Sequence, residues 1–116
     1  MKIEDIYRFF QNPPLTYLGH ELAVGYVLFV LLQGESYGIE ILQRLEVEYP
    51  TYRLSDTILY SALEFLESEK IINAYWKKVK GQGGTQLIYR LDPEWIFDAA
   101  ELARLWRDYT KRNSLI

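Results

Sequence analysis

Residues 22–32 read LAVGYVLFVLL, the longest apolar run in the chain. It is too short to span a bilayer, which takes about 20 residues of helix, and it has no stop-transfer flank. Extended over residues 16–33, the pattern predicts a helix apolar on nearly every side, ended by Gly34. Such a helix has to be central, covered by other elements all round. The remainder of the 116 residues must supply that cover, and 49% hydrophobic content is enough for one domain with a core.

The covering elements follow from local patterns. Ile3, Ile6, Tyr7 and Phe10 fall at helical spacing, which predicts an amphipathic helix over 3–11, stopped by the Asn-Pro-Pro of 12–14. Ser36 is expected to cap a helix over 37–49, which Pro50 closes. Ser55 is expected to cap a helix over 56–70, with Asp56 placed favourably against the helix dipole. On that helix Ile58, Leu59, Ala62, Leu63 and Leu66 make one stripe, and Thr57, Tyr60, Ser61, Glu64 and Ser68 the other face. Two alternating runs, 71–80 and 85–91, predict a β-hairpin turning through Gly81-Gln82-Gly83-Gly84. Ile72, Ala74 and Trp76 share one face of its first strand. Asp92 and Pro93 then open a last helix reaching to about Arg112.

Composition removes whole classes of chemistry. There is no cysteine, so disulfides, thiolate metal sites and cysteine nucleophiles are absent. The single histidine, His20, has no companion at metal-ligand spacing, and a structural role suits it better than catalysis. Glu35, Glu40, Glu46 and Glu48 suit a solvated helix face better than an acid/base pair. The glycine cluster fits neither G-x-x-x-x-G-K-[ST] nor G-x-G-x-x-G, and it joins two strands, so it is no nucleotide cradle. No enzymatic activity, metal or cofactor is expected. No secretory signal opens the chain, which points to a cytoplasmic protein without membrane insertion.

Charge is segregated. The net charge is −3, yet residues 70–90 carry five basic side chains (Lys70, Lys77, Lys78, Lys80, Arg90) and no acidic one. The other 95 residues hold 8 basic and 16 acidic side chains, a balance of −8. A positive field centred on the hairpin can steer an anionic partner even on an acidic protein.

Two helices joined by a short turn, followed by a basic hairpin, are the parts of a winged helix. The expected fold is therefore mainly α with a two-stranded β-hairpin (α+β). It is a winged helix-turn-helix with N- and C-terminal dimerisation helices. The whole chain, 1–116, reads as a single domain, with a winged-helix core over 16–92 and flanking helices over 1–12 and 93–112. In this reading the second helix of the pair presents Ser55, Thr57, Tyr60 and Ser61 to double-stranded DNA, and its first amides meet a phosphate. The wing offers Lys77, Lys78 and Lys80, with Gly81, Gln82, Gly83 and Gly84 letting the backbone come close. Against this stand Asp56, Glu64, Glu67 and Glu69 on the reading helix. Glu64 either accepts from a cytosine amine or points off the DNA, and the sequence leaves both open.

Trp95, Ala99, Leu102, Trp106 and Tyr109 recur along the last helix, with Ile96, Ala100 and Ala103 as a second stripe. One small domain cannot easily cover both, so a homodimer is expected. Its interface would use Phe10, Trp95, Leu102, Trp106 and Tyr109, with Tyr7 and Phe9 nearby. A protein-interaction module without DNA binding is the alternative from a different class.

Three stretches carry a family resemblance over residues 20–92: LLQGESYGIEI (31–41), LSDTILYSALEFLESEKII (54–72) and IYRLD (88–92). In these the chain resembles the PadR family of winged-helix transcriptional regulators. The wing departs from that family's common Gly-Arg-Pro-Arg-Lys, reading GQGGTQ, and the C-terminal helix is single and short. With the acidic net charge, these departures are similar to a small clock-associated cyanobacterial group within the family. That resemblance implies a homodimeric repressor at a clock-gene promoter (kaiA) that modulates circadian period, with no known small-molecule effector.

Overall fold

The central segment folds as expected and the others arrange themselves round it. The structure, a computed structural model, describes residues 1–11, 15–78 and 84–114, without the side chains of Phe9, Asn113 and Ser114. In chain order its elements are α1 (Ile3–Gln11), β1 (Thr16–Tyr17), α2 (His20–Gln33), β2 (Ser36–Tyr37), α3 (Gly38–Glu48), β3 (Tyr52–Arg53), α4 (Asp56–Ser68), β4 (Ile72–Lys78), β5 (Thr85–Leu91) and α5 (Ile96–Ser114). A single 3₁₀ turn, Pro93–Trp95, leads into α5, and the Asp92 side chain caps it by accepting from the Glu94 amide at 2.9 Å.

α2 buries Ala23, Tyr26, Val27, Leu28, Val30 and Leu31, with α4 and α5 packed against it. It begins at His20 and not at residue 16. The backbone of 16–18 is bonded elsewhere: the Thr16 amide donates to the Thr51 carbonyl at 2.8 Å and the Leu18 amide to the Arg53 carbonyl at 2.9 Å. β1 thereby pairs parallel with β3, and a helical start at Thr16 would forfeit those bonds. His20 opens α2 with its ring edge-on to Phe65, 5.9 Å between centroids.

A second departure concerns Ser36. It does not cap α3; Tyr37 occupies the cap position, with no side-chain bond to the helix. Ser36 lies opposite Tyr89 in an antiparallel pairing of β2 with β5, and its hydroxyl donates to Glu40 Oε1 at 2.6 Å. The sheet therefore has three strands in the order β2-β5-β4, where the sequence suggested two. The extra strand is two residues long, below what alternation can reveal.

α5 turns a different face inward than its spacing suggested. Ala99, Ala103 and Trp106 are buried, Trp106 being only 2% exposed. Its indole sits among Tyr26, Tyr49 and Tyr52, at centroid distances of 5.2, 5.1 and 5.9 Å. Trp106 Nε1 is buried without a hydrogen-bond partner. Tyr26, itself fully buried, donates its hydroxyl to the Ile41 carbonyl at 2.8 Å and so ties α2 to α3.

Candidate nucleic-acid interface

α4 is built to hold one face outward. Its N-terminus is fixed by Ser55, whose Oγ accepts from the Ile58 amide at 3.2 Å, so the expected cap is present. Leu59, Ala62, Leu63 and Leu66 are buried, while Thr57, Tyr60, Ser61 and Glu64 are exposed. Ser55 is thus engaged as a cap, and Thr57 and Ser61 are the hydroxyls most open to a ligand. First-turn amides of a helix carry no intrahelical partner, and those of Asp56 and Thr57 open α4 beside the Ser55 cap.

Tyr60 is less free than its spacing implied. A Cβ placed on Gly38 would lie 2.6 Å from the Tyr60 hydroxyl and 3.2 Å from Cζ, so the phenol rests directly on the first residue of α3. It nonetheless keeps 49% of its surface exposed. The free end of Tyr60 thus lies against Gly38, where a side chain on α3 would push it aside.

The hairpin pairs Ile72 with Leu91 through to Lys78 with Thr85, without a bulge. Lys77 and Lys78 are exposed near its tip. Gly84 has φ +148°, a backbone conformation that side chains rarely adopt, so glycine at this end of the turn is set by geometry. Lys80, Gly81, Gln82 and Gly83 lie outside the described residues. The outer face of the sheet carries a polar strap. Tyr75 donates its hydroxyl to Glu35, the Arg90 guanidinium lies 5.3 Å over the Tyr75 ring, and Arg90 Nε donates to Asn73 Oδ1 at 2.6 Å. The bond to the Glu35 carboxylate pushes the Tyr75 phenol pKa up.

Other glutamates are occupied similarly: Glu40 with Ser36, Glu48 with Arg44 at 3.4 Å, and Glu46 with Arg53 at 3.8 Å. Among the described residues no group of three or more His, Asp or Glu is placed to hold a metal, and no helix is long and apolar enough to cross a membrane.

The residues expected at a dimer face are divided. Phe10 is 76% exposed and Leu102 is exposed; Trp95 and Tyr109 are half-buried. Trp106 belongs to the protomer's own core and is corrected accordingly: the aromatic cage at Tyr26, Tyr49 and Tyr52 claims it. Ile96, Phe97 and Leu105 are left exposed instead. Sequence reasoning passed over Phe97 and Leu105, although both sit one position from the stripe it drew.

Comparison with known proteins agrees with this geometry. The model of the transcriptional regulator PadR-like family matches residues 27–94. The circadian clock associated protein Pex from Anabaena is 58% identical, covering 98% of this chain and 99% of its own, with a TM-score of 0.87. Pex from Synechococcus is 54% identical, covering 94% and 97%, with a TM-score of 0.83. A transcriptional regulator from Clostridium thermocellum is 26% identical over 83% of this chain and 94% of its own, at a TM-score of 0.64. A search of curated proteins gives no match. The family model over residues 27–94 and near-complete alignment with the two Pex proteins at 54–58% identity establish that the chain belongs to the PadR-like family of transcriptional regulators.

Proposed function

We propose that the chain is a cytoplasmic homodimeric repressor that binds a palindromic operator at a clock-gene promoter (kaiA) and modulates circadian period. The observation that carries the DNA contact is the exposed row Thr57, Tyr60 and Ser61 on α4, with Lys77 and Lys78 exposed on the neighbouring wing. α4 enters the major groove by its N-terminal turn and the wing tracks the adjacent backbone. The promoter and the clock role rest on the likeness to the two Pex proteins.

The dimer is supported by apolar surface that one protomer leaves open. Every described side chain of α1 is exposed, including Ile3, Ile6, Tyr7 and Phe10, and α5 exposes Ile96, Phe97, Leu102 and Leu105. A groove of about 350 Å³ between α2 and α5, bordered by Leu22, Leu102, Leu105 and Tyr109, continues that surface. A two-fold pair built on these faces displays two reading helices to two half-sites.

Salt dependence tests the reading. Affinity for the operator should fall steeply with salt, and Lys77/Lys78/Lys80→Ala should flatten the log–log slope by about 0.9 for each phosphate no longer neutralised. Affinity that ignores salt and survives the triple change favours the protein-interaction alternative.

A further inference from the structure

Trp76 is the largest apolar side chain near the wing, and it is 68% exposed. It shares a strand face with Ile72 and Ala74 and lies across from Leu87, all of which pack into or against the core. Tyr89, the next residue on that face of β5, is buried and lies close enough to Glu67 and Tyr60 of α4 for both to act on its phenol. The indole therefore emerges on the side of the sheet that faces the reading helix, just past the last covered residues. Lys77 and Lys78 follow it directly and are exposed.

An indole left this open at the edge of a core is covered by whatever binds there. Its neighbourhood in the chain, residues 70–90, carries five positive charges and no negative one, which selects a polyanion over an apolar or basic protein surface. With α4 in the major groove and the wing on the adjacent backbone, as proposed above, Trp76 on β4 meets the ridge of sugar and phosphate that separates two grooves. A deoxyribose presents an apolar face beside a phosphate oxygen; an indole presents an apolar face and one N–H donor. Resting on the DNA-binding reading above, we propose that Trp76 is a DNA contact whose ring packs on a deoxyribose of this ridge and whose Nε1–H donates to the adjoining phosphate. The contact fixes register and adds affinity that is not ionic.

The test compares Trp76→Ala, Trp76→Phe and Lys77→Ala on the same operator duplex over a range of salt. Trp76→Ala should lower affinity roughly tenfold, the order of one aromatic contact to a nucleotide, with the salt slope unchanged. Lys77→Ala should reduce the slope by about 0.9. In a Trp95→Phe background, quenching of tryptophan fluorescence on adding duplex should be largely lost on Trp76→Phe, since the remaining Trp106 is buried. Wild-type affinity in Trp76→Ala, or quenching that persists in Trp76→Phe/Trp95→Phe, overturns the contact while leaving DNA binding in place. A wild-type chain that binds no duplex overturns both.

Discussion

Gly38 and Tyr60 show how one missing methyl group sets a binding surface. The Tyr60 hydroxyl occupies the space that a Cβ on Gly38 would need. The clashing atom is the free end of a half-exposed side chain, so Gly38→Ala should cost no more than about 1 kcal/mol in urea unfolding, and should swing the Tyr60 phenol aside and reduce discrimination between operator and random duplex. Combining it with Tyr60→Ala should recover most of the stability but not the discrimination, because the reading side chain is then gone. A double-mutant cycle showing no coupling between the two positions would exclude the contact. Ser55→Ala should cost about 1 kcal/mol through loss of the cap to Ile58. The cap was legible in the sequence because Ser55 is followed by Asp56 and an apolar stripe. The Gly38–Tyr60 contact was not, since it joins residues 22 positions apart in the chain. Ser36 misled for a related reason: a good capping residue was taken by a strand that exists only because β5 is there to pair with it.

At the scale of elements, α5 divides its apolar residues between two tasks. Trp106 serves the core, so Trp106→Ala should destabilise the protomer by about 3–5 kcal/mol, visible as a lower melting temperature at every protein concentration. Phe97, 90% exposed, belongs to the outward face. Phe97→Asp should leave the monomer's fold intact and raise the monomer fraction in sedimentation equilibrium. A wild-type chain that sediments as a monomer would end the dimer proposal. Helical periodicity located α5 correctly but assigned Trp106 to the wrong face. A stripe and its neighbour differ by one residue, and the choice between them lay with Tyr26, Tyr49 and Tyr52 on other elements. α2 posed no such choice, being apolar all round, and its central position followed directly.

For the whole molecule, buried phenols set an alkaline limit. Burial is the leading cause that raises the pKa of Tyr26, Tyr52 and Tyr89 above the usual 10.0. Each phenol is neutral in both states below about pH 10 and ionises first in the unfolded chain. Their stabilising effect is full below that pH and is lost as pH rises toward the folded-state values. The melting temperature should therefore be insensitive to these groups near neutrality and fall steeply above about pH 10. Tyr89→Phe should blunt the fall in proportion to its share. Ionisation of Tyr26, Tyr52 and Tyr89 together with the exposed phenols, ahead of unfolding, would contradict the buried assignment.

α1 carries a consequence for how this protein is used at low abundance. A helix of nine residues is marginal in water by itself, and α1 has no described side chain that its own protomer buries. If the second copy supplies its cover, the helix melts whenever the pair separates. Dilution then does more than halve the particle: it unravels the first segment of each chain, and reassembly has to refold it before an operator can be gripped by both halves. Occupancy of a two-half-site operator would then vary with protein level more sharply than either half-site contact alone provides, with α1 as the element that sets the threshold.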